Sequence, residues 1–562
     1  MDHAPASTPA STPASATTSA TTSGQPAVNS AANPTRASSG RPLLLSDHQG
    51  FDRRWYAHKL QAVYVPTEPG QVANCVASAI GRYGKNVKVT SGRHCYENFV
   101  YNDTTQAIID MSALNQAGYD SARKAYFIDA GCENWTAYRT LLNGYGKTLP
   151  AGSCYSVGAG GHITGGGYGL LSRLHGLTVD HLTAVDIVTW DAASRCATLR
   201  HVSAASQDQA EQDLFWALCG GGGGNFGVIV RYWFADLPDA PEYASLYTFA
   251  WNWNDVSESA FAQLLALYAD LMLHLPNTDF TLLKLTHVAA GQLGMTMQMA
   301  SSPGVSYVDH CSQSERRVAS MKHRFDAILP TSVLQKPLGG HPGFMSTLAG
   351  TLSVQHLTYL EAVQTLNGSG PNQFGKYKSA YMKKAFPPEQ VAAIYQWLHT
   401  TPKQANGDDW DMSQCLLQVD SYGGKINTVA PDATAVPQRS SIMKLQYQAY
   451  WNNDAEPGHA HLPRHQEQAN AYLNWINYFY RDVYAAYGGT PNPAHDSSGT
   501  VDGCYYNYPD DVLGTHKDGK IGQAMHLYFL DNYQTNARNL VQVKRQWDPQ
   551  NYFHHPQSIP VL

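Results

Sequence analysis

The sequence predicts a fold of the α/β or α+β class, and three observations carry that reading. Short β-patterned runs alternate with amphipathic helical ones between residues 64 and 234. Two glycine clusters, 152–169 and 220–224, interrupt that alternation. From about residue 236 to 500, longer helical and strand patterns mix without internal repeats, which marks a second domain.

The elements follow in order. Residues 1–40 contain 10 Ala, 8 Ser, 7 Thr and 5 Pro. That composition buries too little apolar surface to offset ordering entropy, so 1–43 reads as a disordered, low-complexity tail. It lacks a basic segment followed by an apolar one, so it is not a secretory signal as written. The compartment stays open: the cytoplasm is favoured, with secretion the alternative for a chain whose signal was removed. Residues 64–80 then read as strand, turn and helix, with Val72, Cys75, Val76 and Ala79 at helical spacing. The alternating run 86–90 is a strand that ends in Ser91-Gly92-Arg93-His94. Strands follow at 107–110 and 125–129, then a helix over 135–143 closed by Gly144 and Gly146. Residues 182–200 read as a hairpin whose first strand is 184–190. A helix over 212–218 leads into the five glycines 220–224 and a strand over 226–234. The turn Leu237-Pro-Asp-Ala-Pro241 opens the second domain.

Composition excludes several classes. A net charge of −6 argues against nucleic-acid and anionic-membrane partners. No uncharged apolar run approaches the ~18 residues of a membrane-spanning helix. The nine cysteines are scattered and odd in number, with no C-x-x-C, so neither a disulfide framework nor a zinc site is expected. His459-x-His461-x3-His465 reads as a solvated loop, and no metal is predicted. Tyrosine is in excess, 34 against 16 Phe and 12 Trp. Most of it is accounted for by packing, although polar aromatics also suit ring-shaped polar ligands such as sugars.

The glycines carry the chemistry. Gly222-x-Gly224-x-x-Gly227 satisfies a dinucleotide fingerprint formally, but a helix precedes it and a strand follows, the reverse of the Rossmann order. The 152–169 run holds Val157, Ile163, Tyr168 and Leu170 among its glycines, unlike a flexible linker. Glycine at that density lets backbone amides approach an extended anion such as a pyrophosphate.

Four blocks together resemble the berberine-bridge-enzyme-like covalent flavin oxidases of the vanillyl-alcohol-oxidase fold, and within them the bacterial glycopeptide-tailoring hexose oxidases. They are Ser91-Gly-Arg-His-Cys-Tyr-Glu97, the 150–169 run, 220–227, and Tyr505-Tyr-Asn-Tyr-Pro-Asp510 with Trp547-Asp-Pro-Gln-Asn551. Tyr422 to Asp432 and Lys378 to Lys383 have the look of the family's substrate domain, and the likeness spans residues 50–560. It implies an α+β fold: a PCMH-type FAD-binding domain of residues 44–236 completed by 501–562. An antiparallel-sheet-plus-helices substrate domain, 237–500, is inserted between those two parts.

The resemblance also implies FAD held bicovalently, by His94 at the flavin 8α-methyl and by Cys154 at carbon 6. Alkylating the ring makes it a stronger oxidant and prevents its loss. Further cofactor contacts are expected from Ser91, Gly92, Arg93, Val157, Gly158, Gly160, Gly161, His162, Gly165, Gly166 and Tyr168. Gly223, Gly224, Asn225, Gly227, Val228, Tyr505 and Asn507 complete that set. Two positions depart from the family pattern. Thr90 stands for its usual Arg, and Arg93 for the second Gly of the histidine motif, where its cation either pairs with the pyrophosphate or crowds the loop. Tyr508 is the expected proton acceptor, with Tyr505 and Tyr168 beside it, and an ordinary phenol there needs its phenolate stabilised. Val157 lies three residues after Cys154, where a small side chain is associated with oxygen access, so an oxidase releasing hydrogen peroxide is expected. The partners are O2 and a small molecule: a sugar or glycoside, or alternatively a natural product oxidised or cyclised by a tailoring enzyme. The sequence leaves the oligomeric state open.

Overall fold

A computed structural model describes residues 43–338 and 348–562. Nearly all of the expected tail lies outside those residues. Three sheets organise the described chain. The first is parallel, in the order β1-β3-β2, from β1 (Ala62–Tyr64), β2 (Val87–Thr90) and β3 (Ala107–Asp110). The helix Val72–Tyr83 connects β1 to β2 and buries Val72, Cys75, Val76, Ala79, Ile80 and Tyr83. That stripe recurs every three or four residues and faces β3 on one side and the strands Ala184–Asp191 and Cys196–Ser203 of the next sheet on the other. Burying each large side chain contributes roughly 1.5–3 kcal/mol, so this one helix joins the two sheets.

The second sheet is antiparallel, in the order β4-β5-β8-β6-β7. Its strands are β4 (Ala117–Asp120), β5 (Ala125–Asp129), β6 (Ala184–Asp191), β7 (Cys196–Ser203) and β8 (Val228–Phe234). Arg231 on β8 faces Asp129 on β5 and pairs with it at 2.6 Å. The helix preceding β8, Gln209–Leu218, begins at Asp208, whose carboxylate accepts from the Ala210 N–H. Helix, glycine turn and strand thus fall in the order read from the sequence.

The third sheet holds seven antiparallel strands in the order β12-β9-β11-β10-β14-β15-β13. They are β9 (Tyr243–Asn252), β10 (Asp279–Thr286), β11 (Gln292–Ala300), β12 (Gln355–Thr358), β13 (Phe374–Met382), β14 (Leu416–Ser421) and β15 (Met443–Trp451). Helices Glu258–His274, Pro388–Leu398 and Pro463–Val483 lie side by side, the last against β13 and β15. Every residue of β15 is buried, yet it alternates. Met443, Leu445, Tyr447, Ala449 and Trp451 form its apolar set, with Tyr447 against Phe479 of a helix. Lys444, Gln446, Gln448 and Tyr450 point the other way. A buried polar face needs partners, so it marks where to look for a site.

Just past residue 500 the chain pairs with the end of β13: the Asp502 N–H donates to Tyr381 O at 2.9 Å, and Tyr381 N–H to Gly503 O at 2.9 Å. Among the described residues no helix is long and apolar enough to cross a membrane. His465, expected in a solvated loop, is instead buried in the first turn of the helix Pro463–Val483, with its Nδ1 3.6 Å from the exposed carboxylate of Asp454.

Candidate active site

The two motif loops after β2 and around residue 158 meet backbone to backbone. A Cβ on Gly92 would lie 2.2 Å from Gly158 N, and one on Gly158 would lie 2.0 Å from Ser91 Oγ. Neither position tolerates a side chain. Ser91 Oγ and Gly160 N–H both donate to Ala130 O, at 2.6 and 2.7 Å, which pins the pair to the end of β5. The Tyr505–Tyr508 loop approaches from the C-terminal segment. Asn507 donates to His162 O at 2.9 Å and to the Tyr505 hydroxyl at 3.1 Å, crossing so near Gly165 that a Cβ there would meet Asn507 Oδ1 at 2.0 Å.

These loops and the polar face of the third sheet enclose one cleft of about 390 Å³. Ser91, Gly92, Arg93, His94, Cys154, Val157, Gly158, Gly160, Gly161, His162, Tyr168, Gly223, Gly224, Gly227, Tyr505, Asn507 and Tyr508 all line it. Gly161 has nothing within 4 Å of where its Cβ would sit, so bare backbone faces the opening. A cleft floored by peptide edges, with His94 and Cys154 in its wall, fits a flavin dinucleotide. Four expected contacts are not brought to it. Gly165 is covered by Asn507, and Gly166 lies against Val436. Val228 belongs to the core of β8. Asn225 is buried beneath the glycine turn, donating to Gly221 O and Gly222 O at 3.1 Å and accepting from Ile559 N–H. It ties the turn to the C-terminus.

His94 stacks on Phe51 with ring centroids 5.1 Å apart, and its Nε2 lies 2.8 Å from Ser156 Oγ. Burial pushes the Cys154 thiol up; a Gly368 backbone hydrogen bond and the Lys284 charge oppose it. Arg93 has φ +61°, the left-handed region that favours glycine, which explains the family's usual Gly there. Its guanidinium pairs with Asp110, near Asp47, and also donates to Ser46 O. The cation is therefore held by protein carboxylates, and the structure does not direct it at a pyrophosphate.

The tyrosines converge on a lysine that the sequence reading did not single out. Lys444 Nζ is 3.2 Å from the Tyr508 hydroxyl and lies 4.3, 4.5 and 5.4 Å from the ring centres of Tyr508, Tyr168 and Tyr505. Its partner is Asp420, directly across the β14–β15 register, with Oδ2 2.8 Å from Nζ. Burial raises the Tyr508 phenol well above its ordinary value, and Asp420 pushes the same way. Lys444 is the cation placed to offset this. Burial also lowers the Lys444 pKa, against which Asp420 acts. Tyr505 is pushed by burial to about 12. Tyr168 donates its hydroxyl to Ser421 O at 2.6 Å, so it is the ring, not the oxygen, that it offers to Lys444. His162 accepts from Gly152 N–H at 3.1 Å and is lowered by burial and by Lys444 to about 4.

The rest of the wall comes from alternate positions on β10, β14 and β15. Lys284, Gln418 and Gln446 stand in one row across these strands, with Gln448 beside them. Burial lowers the Lys284 pKa to about 8. Strand alternation is the signal that could have found them, but it is visible only once the strand pairing is known. Around Glu97, Asp510 and Asp511, the only carboxylate group of metal-binding closeness among the described residues, the Lys376 ammonium contacts all three.

Fold and cleft define a flavoprotein oxidoreductase. Residues 60–195 match the FAD binding domain family and residues 504–560 the family described as berberine and berberine-like. The chain is 38% identical to the hexose oxidase of Chondrus crispus, over 92% of this chain and 93% of that one. It is 32% identical to the aclacinomycin-N/aclacinomycin-A oxidase of Streptomyces galilaeus, over 91% and 87%. The crystal structure of a glycopeptide hexose oxidase complexed with teicoplanin superposes with a TM-score of 0.74 at 30% identity, covering 91% of this chain and 95% of that one. The chain belongs to the berberine-bridge-enzyme-like family of FAD-linked oxidoreductases, with the PCMH-type α+β fold.

Proposed function

We propose that the protein is a carbohydrate or glycoside oxidase that takes a hydride from an alcohol carbon, its flavin held through both His94 and Cys154. The observation that carries the substrate class is the cleft wall. Lys284, Gln418, Gln446 and Gln448 present hydrogen-bonding groups in rows, between the aromatic rings of Tyr377, Tyr450 and Phe280. Such a wall suits a ring bearing several hydroxyls. It is also consistent with the names of the relatives.

A flavin held by His94 and Cys154 would supply the acceptor for the substrate's hydride, with O2 taking the two electrons on to give hydrogen peroxide. Loss of hydride requires loss of the hydroxyl proton, and in this reading Tyr508 takes it. Lys444 stabilises the resulting phenolate by its 3.2 Å hydrogen bond and by charge. Asp420 keeps that lysine charged and aimed. Asn507 holds Tyr505, and Tyr505 meets Tyr508 edge-on at 5.0 Å, which fixes the base's ring. Val157, at the cleft surface, leaves room for O2.

A panel of sugars and glycosides assayed for peroxide tests the reading. Turnover of sugars is the expected result. Peroxide from polyketide or alkaloid alcohols but from no sugar would move the protein to the tailoring-oxidase class.

A further inference from the structure

A buried knot of charge lies beside the cleft and takes no part in the chemistry above. Lys376 on β13 is at its centre: its ammonium contacts Glu97, Asp510 at 2.8 Å and Asp511 at 2.6 Å. Lys378, two residues on, reaches the other oxygen of Asp510 at 2.5 Å. Arg54 closes the far side, 2.9 Å from Asp52 and 3.5 Å from Glu97, and donates to Tyr96 O at 2.9 Å. The Lys376, Glu97 and Asp510 side chains are essentially inaccessible to water.

What matters is which segments the knot joins. Glu97 is three residues from His94, the expected flavin attachment. Asp510 and Asp511 are two and three residues from Tyr508. Lys376 is on the sheet that forms the substrate wall. A buried ion network fixes geometry more than it adds stability, because desolvation offsets most of its Coulomb gain.

We propose that Lys376, with Glu97, Asp510 and Asp511, is a positioning device that sets the distance between Tyr508 and the flavin on the His94 segment. This rests on the reading of Tyr508 as proton acceptor. Glu97 is the only carboxylate of the knot on the His94 side, so its charge is what couples that segment to Lys376.

The knot holds three cations, Arg54, Lys376 and Lys378, against four carboxylates, Asp52, Glu97, Asp510 and Asp511. Glu97 is faced by Lys376 from β13, by Arg54 and Asp52 from the N-terminal segment, and by Asp510 and Asp511 from the C-terminal loop. Cys95, whose thiol bonds Glu97 O, lies on its own segment. Burial pushes Glu97 up to about 7 despite Lys376 and Arg54. Burial works against the Asp511 charge too, yet Lys376, Arg54 and Lys378 together outweigh it and hold that carboxyl at about 2. Burial raises Asp52 as well, but Glu97 is the carboxylate that ties the His94 segment to Lys376, and that tie weakens as Glu97 takes up a proton.

The test titrates the holoenzyme from mildly acidic to mildly alkaline pH. Two signals are read: the visible absorbance of the oxidised flavin, and the rate of its anaerobic reduction by D-glucose. Wild type is expected to show a step near 7 in both signals, with faster reduction on the alkaline side, and Glu97→Gln to lack it. Lys376→Met should slow reduction about 100-fold, the scale of a 1 Å misplacement. Its apparent affinity for D-glucose should stay within about threefold, with Lys376→Arg recovering part of the rate. The absorbance titration needs no substrate, and decides the matter if D-glucose is not oxidised. A step that survives Glu97→Gln, or a wild type with no step, overturns the proposal, as does full-rate reduction in Lys376→Met. Tyr508→Phe tests the underlying reading alone. If it is reduced like wild type, the Tyr508 assignment falls. If it is not reduced while Glu97→Gln keeps the step, only the positioning device falls.

Discussion

Replacing Lys444 by Met removes the cation in contact with the Tyr508 hydroxyl and leaves Asp420 buried beside it. Two effects follow, and they separate. The Nζ–OH distance is 3.2 Å. Unit charges 4 Å apart at an effective dielectric near 20 interact by about 4 kcal/mol, so half of that, about 2 kcal/mol, is a cautious share for the developing phenolate. At about 1.4 kcal/mol per decade, flavin reduction should slow roughly 30-fold or more. Breaking one side of a buried pair destabilises the fold by about 3–5 kcal/mol, because the Asp420 charge loses its partner. The double variant Lys444→Met/Asp420→Asn removes that orphan charge, so it should recover stability and not the rate. Anaerobic stopped-flow reduction at alkaline pH measures the first effect, and thermal denaturation the second. Reduction within threefold of wild type in a folded Lys444→Met would refute the role given to Lys444, because a nearby cation cannot be both essential to the base and dispensable.

Other outcomes can be checked separately. His94→Ala and Cys154→Ala should each leave flavin with the acid-precipitated chain and the double variant should release it; free flavin from wild type contradicts bicovalent attachment. Gly158→Ala should yield protein with little bound flavin, since its Cβ would lie 2.0 Å from Ser91 Oγ; full flavin absorbance would show that the loops can part. Val157→Leu should slow reoxidation of reduced enzyme by air with little change in its reduction, and unchanged reoxidation would remove Val157 from the oxygen path. Stability should fall as pH drops from the ordinary histidine range toward 4. His162 and His287 are both lowered to about 4, chiefly by burial, and each accepts a backbone N–H that protonation would displace. Because the unfolded chain binds those protons first, stability lost on acidification returns on raising the pH. A flat melting temperature over that window would contradict this.

The motifs were legible because they are local. His94, Cys154 and the glycines around residue 158 stand within two short runs, and the close contact between Gly92 and Gly158 restricts each to a residue without Cβ. The order of helix, glycine turn and strand at 209–234 excludes a Rossmann site from the sequence alone. Gly165, Gly166, Asn225 and Val228 stand in the same runs but do not line the cleft, because neighbours in sequence can face opposite sides of a wall. Asn225 faces the C-terminus, not the cleft.

By itself, then, the sequence determined the cofactor class, the two attachment residues to be tested and the tyrosines of the C-terminal loop, since each rests on spacing within a few residues. Only the tertiary structure decided which charges meet them. Lys444 and Asp420 lie 24 positions apart in the chain and become partners through an antiparallel register. Arg93 finds Asp110 from the neighbouring strand's end, and Lys376 finds Glu97 and Asp510 across more than a hundred positions. Strand pairing sets the meeting of Lys444 with Asp420, and a one-residue slip of β15 would turn Lys444, Gln446 and Gln448 from the cleft to the helices behind.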